Sequence, residues 1–139
     1  MSAGYSGTPL ARKLGIKSGH RVCLKNAPPN YQQLIAPVPD DVIFSNRLSG
    51  NFDIIHFFTR ERRELASQLE KMMVKIKQDG MIWISWPKKA SKVPSDVTED
   101  TIRELALPIG LVDVKVCAVD EIWSGLKLVI RKELRSRQK

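Results

Sequence analysis

Cysteine and histidine are scarce in this chain, with two of each among 139 residues. Cys23, Cys117, His20 and His56 are too few and too far apart for any metal-ligand spacing, so a structural metal centre is not expected. Both cysteines sit in apolar, strand-like runs, where a thiol behaves as a small buried hydrophobe in a reducing compartment rather than as half of a disulfide. No apolar run reaches the ~18 residues that span a bilayer. The opening residues, Met1-Ser-Ala-Gly-Tyr-Ser-Gly7, lack the basic-then-apolar order of a signal peptide. The expected location is the cytoplasm. Phosphate-binding loops, dinucleotide-binding glycine triplets and nucleophile elbows are all missing. Ser85-Trp-Pro-Lys88 and Ser124-Gly-Leu-Lys127 both fit a Ser-x-x-Lys pattern. Its partner motifs, Lys-Thr-Gly and Ser-Asp-Asn, do not occur, so serine hydrolysis is not supported.

Basic charge is plentiful, at a net +8, but unevenly placed. Residues 1–25 hold five bases and no acid, and residues 131–139 hold five bases against Glu133. The stretch between them is close to neutral. Basic ends add nonspecific phosphate affinity, yet they are more often solvated tails, so nucleic acid is not the expected main partner. Apolar content of 42% with 27% charged residues is that of an ordinary folded domain. The expected organisation is one α/β domain over 1–131, with a loose start at 1–7 and a basic, disordered tail at 132–139.

Hydrophobic patterning gives the element order. Thr8-Pro9 opens a short helix that Gly15 closes. Arg21 to Leu24 reads as a strand, Asn26-Ala-Pro-Pro-Asn30 as a loop, and Tyr31 to Ile35 as a turn or two of helix. Val42 to Phe44 is a short strand. Phe52-Asp-Ile-Ile-His-Phe-Phe58 is a central one, because its near-continuous apolar run needs cover on both faces. Thr59 caps a long helix from Arg60 to about Gln78, with Leu65, Leu69, Met72 and Ile76 as its inward stripe and Ala66 and Met73 alongside. Asp79-Gly80 ends it, and Met81 to Ser85 is the next strand. Asp96 and Glu99 have capping-box spacing ahead of a helix with Ile102, Leu105 and Ala106 inward. Leu111 to Val119 alternates, with Val112, Val114, Val116 and Ala118 on one face. Leu126 to Ile130 follows through a short link, which predicts an antiparallel pair. Strands separated by helices imply right-handed crossovers and a mainly parallel, doubly wound sheet.

At the carboxyl edge of such a sheet, where ligands of open α/β folds sit, three segments meet. They are Thr59-Arg60, Trp86-Pro-Lys88-Lys89 and Asp120-Glu121-Ile-Trp123-Ser124. One reading is a pocket for a flat anion, with Arg60, Lys88 and Lys89 on the charge and Trp86 and Trp123 as stacking faces, beside Asp120, Glu121 and Ser124. The other is structural: the tryptophans close the end of the core and Lys88 pairs with Asp120 or Glu121. His56, within the central strand, is expected to be a buried, hydrogen-bonded imidazole rather than a catalytic base. His20 is expected to serve a surface or capping role.

A long helix, Asp79-Gly80, an apolar strand, a helix and a last pair of strands resemble the C-terminal half of class I S-adenosylmethionine-dependent methyltransferases. Gly80-Met-Ile-Trp-Ile-Ser85 stands where the fifth strand of that family runs, and Gly110-Leu-Val-Asp-Val-Lys115 where its sixth does. The resemblance implies a Rossmann-like fold. It also implies a glycine-rich turn after the first strand and an acidic residue after the second. This chain has Lys25-Asn-Ala-Pro-Pro-Asn30 and Asn46 in those places, so no cofactor is expected.

Over residues 4–130 the chain is also similar to a small bacterial family catalogued only as a domain of unknown function. The carrying segments are Gly4-Tyr-Ser-Gly-Thr-Pro-Leu10, Lys13-Leu-Gly-Ile-Lys17, Ser85-Trp-Pro-Lys-Lys-Ala-Ser91, Leu111-Val-Asp-Val-Lys-Val-Cys117 and Trp123-Ser-Gly-Leu-Lys127. That resemblance implies a bacterial, cytoplasmic protein and transfers no catalytic residue. The functional expectation is a non-catalytic methyltransferase-like module that binds a small anionic ligand or a protein partner. Alternatives are a divergent enzyme using the Trp86/Lys88/Trp123 surface, and weak nucleic-acid binding through the basic termini.

Overall fold

A computed structural model describes residues 8–135. A six-stranded sheet forms its centre. The strands are β1 (Arg21–Lys25), β2 (Ile43–Ser45), β3 (Phe52–Phe58), β4 (Ile76–Pro87), β5 (Leu111–Ala118) and β6 (Trp123–Ile130), in spatial order β2-β1-β3-β4-β6-β5. β2, β1, β3 and β4 pair in parallel, and β6 lies antiparallel to both β4 and β5. This is the mainly parallel α/β sheet with an antiparallel end pair that the element order predicts. The chain leaves β1 toward β2 on one side and returns to β3 on the other, so the topological switch point falls between β1 and β3.

Helices cover both faces. α3 (Arg62–Met73) and α4 (Glu99–Ala106) bury Leu65, Leu69, Met72, Ile102 and Ala106 against Ile55, Phe57, Ile82, Ile84 and Leu128. α1 (Leu10–Leu14) and α2 (Tyr31–Ile35) seal the other face with Ala11, Leu14, Tyr31 and Ile35 over Ile54, Phe58 and Trp83. Trp83 is wholly buried, and its indole N–H donates to the Leu14 carbonyl at 2.9 Å, which fixes the end of α1 over β4. Gly15 closes α1 in the left-handed region at φ +84°, a conformation that costs a side chain energy but glycine little.

Four expectations need correction. α3 spans Arg62 to Met73 rather than Arg60 to Gln78, and Ile76 belongs to β4. The Lys75 carbonyl accepts from Phe52 N–H at 2.8 Å and Ile76 pairs with Phe52, so sheet bonds capture the chain where the apolar stripe would have extended the helix. Ala66, expected beside that stripe, is exposed.

The caps are exchanged as well. Asp96 accepts from Arg62 N–H at 2.7 Å, capping α3 from a distant loop, while α4 is capped by a Thr98–Thr101 box. Thr59 sits three residues ahead of the start of α3, accepting from Glu61 N–H and donating to the Glu64 carboxylate.

On β5 the alternation is broken, and its two buried residues face opposite sides of the sheet. Val114 and Val116 are 52% and 50% exposed, whereas Leu111 and Cys117 are buried. A register shift between Asp113 and Lys115 changes the phase of alternation, as a bulge does, and β5 is an edge strand. Finally, Lys132–Leu134 form one 3-10 turn and Arg135 donates to the Ile130 carbonyl, where a tail from Lys132 was expected. The expected loose start at 1–7 and the rest of the tail, 136–139, lie outside the described residues.

Candidate functional site

Ligands of open α/β sheets lie beyond the carboxyl ends of the strands at the switch point, here the crevice between the ends of β1 and β3. The residue that leaves β1 is Asn26, in the left-handed region at φ +60°. Asn and Asp tolerate that conformation better than other side chains. Its amide donates to the Phe58 carbonyl at the end of β3 and to the Glu64 carboxylate on α3, both at 3.1 Å. Glu64 also accepts from Thr59 Oγ1 at 2.7 Å. One side chain thus ties the two walls of the crevice together. Next come Pro28 and Pro29, which have no N–H to offer, and the Pro28 carbonyl already accepts from Tyr31 N–H. At the end of β2, Ser45 Oγ bonds to its own turn at Arg47, and no carboxylate follows it. These residues do not fit S-adenosylmethionine held in the usual manner. A glycine that would let the backbone approach the cofactor and an acidic ribose partner are missing from the positions that would supply them, and two of the loop's residues are prolines without an N–H.

Below the crevice lies a buried polar chain. Tyr31 Oη is 2.8 Å from His56 Nδ1, and His56 Nε2 is 2.7 Å from Ser85 Oγ. His56 and Ser85 are wholly buried, and Phe58 stacks on the imidazole at 4.3 Å. Burial lowers the His56 pKa to about 3, so the ring is neutral and satisfies one hydroxyl as donor and the other as acceptor. Burial also raises the Tyr31 pKa. Gly125 crosses directly opposite Ser85, and a Cβ there would lie 3.2 Å from the serine oxygen. No substrate reaches a serine so enclosed. The chain ties α2, β3 and β4 together, and His56 is the hydrogen-bonded core imidazole its position predicts. Sequence reasoning did not find Tyr31 as its partner, because the contact depends on how α2 lies over β3. Strand phase does place His56 with Phe58 and Ser85 with Trp83, which is the only signal of the cluster in the sequence.

The eight residues expected at the carboxyl edge come from the three segments named, but they do not all face one space. Trp86 is 9% exposed and belongs to the core under α3 and α4. Trp123 packs edge-on against Phe58 at 5.1 Å on the opposite face. Lys88 Nζ donates to the Asp120 backbone carbonyl at 2.7 Å, not to a carboxylate. The Asp120 carboxylate accepts from Ile122 and Trp123 N–H, both at 2.8 Å, and shapes the hairpin turn. Ser124 pairs with Trp86 across the ladder. The Arg60 carbonyl accepts from Asp96 N–H and Ser95 Oγ, which leaves its side chain on the surface. Arg60, Lys89 and Glu121 are exposed and make no side-chain hydrogen bond or ion pair among the described residues. Ile122, between Glu121 and Trp123, is 40% exposed.

His20, expected in a surface or capping role, accepts through Nδ1 from Lys17 N–H and so closes the turn ahead of β1. Cys23 and Cys117 are free and buried. Among the described residues no cluster of His, Cys, Asp or Glu could hold a metal, and no helix is long and apolar enough to cross a membrane.

This topology is shared with methyltransferases. A SAM-dependent methyltransferase from Aquifex aeolicus superposes with a TM-score of 0.62 at 15% identity over 87% of each chain. A putative methyltransferase from Thermoplasma acidophilum gives 0.58 at 6% identity, over 91% of this chain and 76% of the other. A protein of the NADB-Rossmann superfamily from Streptococcus agalactiae gives 0.52 at 13% identity, over 94% and 71%. At such identities the likeness establishes a Rossmann-like, methyltransferase-like fold. The chain belongs to the family described as a protein of unknown function (DUF3052), whose model matches residues 30–132. No curated protein matches it.

Proposed function

We propose that this chain is a binding module of methyltransferase-like fold that does no methyl transfer of its own. The observation that carries this reading is Asn26, bound to Phe58 and Glu64 across the crevice where the fold places its ligand. The two prolines that follow reinforce it by withholding N–H donors. What the carboxyl edge offers instead is its rim, where Arg60 and Lys89 form no ion pair among the described residues and exposed Ile122 lies near. Such a rim suits an anionic group, on a small ligand or on an acidic protein segment. Trp86 and Trp123 are occupied in packing, so the rim presents no flat stacking face.

Thermal unfolding with S-adenosylmethionine and its demethylated product tests the reading. A ligand at a hundred times its dissociation constant adds about 2.7 kcal/mol, roughly 8 °C for a domain of this size. The expected result is no shift with either compound. A shift with either that Asn26→Ala changes would overturn the reading and restore the enzyme.

A further inference from the structure

Away from the carboxyl edge, the face of the sheet that carries α1 gathers positive charge that the linear sequence does not show as a group. Lys115 on β5 stands directly across from Lys127 on β6, and Lys127 stands across from Trp83 on β4. Like charges set opposite one another on a sheet face destabilise it. Trp83 holds the end of α1 through the Leu14 carbonyl, so Lys13 and Lys17, on either side of Leu14, come to the same region. Their charges are felt there. Burial, then Lys115 and Lys17, lower the pKa of half-buried Lys127, and Lys13 and Lys115 both act on the Cys117 thiol. Among the described residues no carboxylate forms an ion pair with any of the four. On β5 and in the turn that follows it, Asp113 accepts from Arg103 and Asp120 closes its own turn. Lys17 also borders a cavity of about 540 Å³ between α1 and the Pro37–Pro39 segment, lined by Pro9, Ile16 and Val38 with Arg12 at its side. A cavity of that size takes a small organic molecule.

The geometry points to a binding site for a phosphate-bearing small molecule on this face, its phosphate held by Lys17, Lys115 and Lys127 and its apolar part in the adjoining cavity. Three cations with no ion pair among the described residues form a site that an oxyanion completes. The site is independent of the rim at the carboxyl edge.

The test is thermal unfolding of the full chain with phenyl phosphate, inorganic phosphate and sodium chloride at equal ionic strength. Phenyl phosphate is expected to raise the midpoint most, by roughly 8 °C when in hundredfold excess over its dissociation constant, and chloride least. Lys127→Met is expected to abolish the difference between the phosphates and chloride. Lys115→Gln, at an exposed position on the edge strand, is expected to reduce it and serves as the check should Lys127→Met fold poorly. Equal shifts with all three salts, or a phosphate effect that survives both substitutions, would overturn the proposal. So would retention of a single-stranded oligonucleotide that both substitutions abolish, with no response to phenyl phosphate; that would make the face a nucleic-acid surface.

Discussion

The crevice between β1 and β3 and the lysine face of β5 and β6 are opposites in electrostatic design. In the crevice and beneath it, polar side chains bond to one another and to the backbone. Asn26 serves Phe58 and Glu64, Thr59 serves Glu61 and Glu64, and His56 serves Tyr31 and Ser85. On the lysine face Lys115 and Lys127 are opposed with no acid between them. The fold's usual ligand position is therefore bridged internally by Asn26, while the lysine face is left unbalanced. Satisfied networks lose stability when cut, and unbalanced charge gains stability when reduced. The signs of the two responses separate the regions.

The largest effect is expected from pH at the satisfied end. His56 has a folded pKa of about 3, against about 6.5 when unfolded. Above pH 6.5 both states are neutral and the full stability is present. Between 6.5 and 3 the unfolded chain takes up a proton that the folded one refuses, so stability falls as pH falls, by up to ~1.4 kcal/mol per unit. Between pH 6.5 and 5 that amounts to about 2 kcal/mol. Urea unfolding at several pH values measures it, with His56→Gln as the control that loses the slope. Identical slopes in the two proteins would remove His56 from the account.

Cutting the crevice itself comes next. Asn26→Ala forfeits two hydrogen bonds, one to a carboxylate, and places alanine at φ +60°, for a loss of roughly 1–2 kcal/mol. Asn26→Gly relieves the backbone but not the bonds and should fall between the two. Equal stability in all three proteins would mean that Asn26 does not hold the crevice shut. A smaller loss, about 1 kcal/mol, is expected for Asp96→Ala, which leaves the first turn of α3 without its distant cap. Denaturant midpoints resolve both.

The contrast also explains which parts were legible in advance. Period and turn chemistry gave β3 at its observed bounds and the antiparallel end pair, because Phe52–Phe58 and the link after β5 carry their signals locally. The missing glycines after β1 were visible for the same reason. What replaces them was not, since Asn26 reaches residues 32 and 38 positions away. Ile76 fits a helical stripe and a buried strand equally well, and only pairing with Phe52 decides between them. The broken alternation of β5 follows from one register shift, which four alternating small apolar residues conceal. Trp86 and Trp123 could be placed at one edge of the sheet, yet opposite sheet faces separate them. Lys13, Lys17, Lys115 and Lys127 were each counted in the net charge, but their grouping comes from strand register and from the docking of α1.

The smallest effect has the opposite sign and is the sharpest test of the contrast. Lys127→Met keeps an unbranched side chain beside Trp83, so the apolar packing of the lysine stem survives. It removes one member of a like-charged pair and the burial cost of a partly covered ammonium. Without added anion the variant should be more stable than the natural chain by a few tenths of a kcal/mol, up to about 1. The gain should shrink as sodium chloride screens Lys115 and Lys17 from Lys127. Urea midpoints at low and high salt distinguish this from better packing, which salt would leave unchanged. A loss of stability would show that Lys127 has a partner holding it in place, and the two regions would then be alike. A salt-dependent gain means that this face spends folding stability on charge that nothing within the chain balances, as a surface shaped for an anion does.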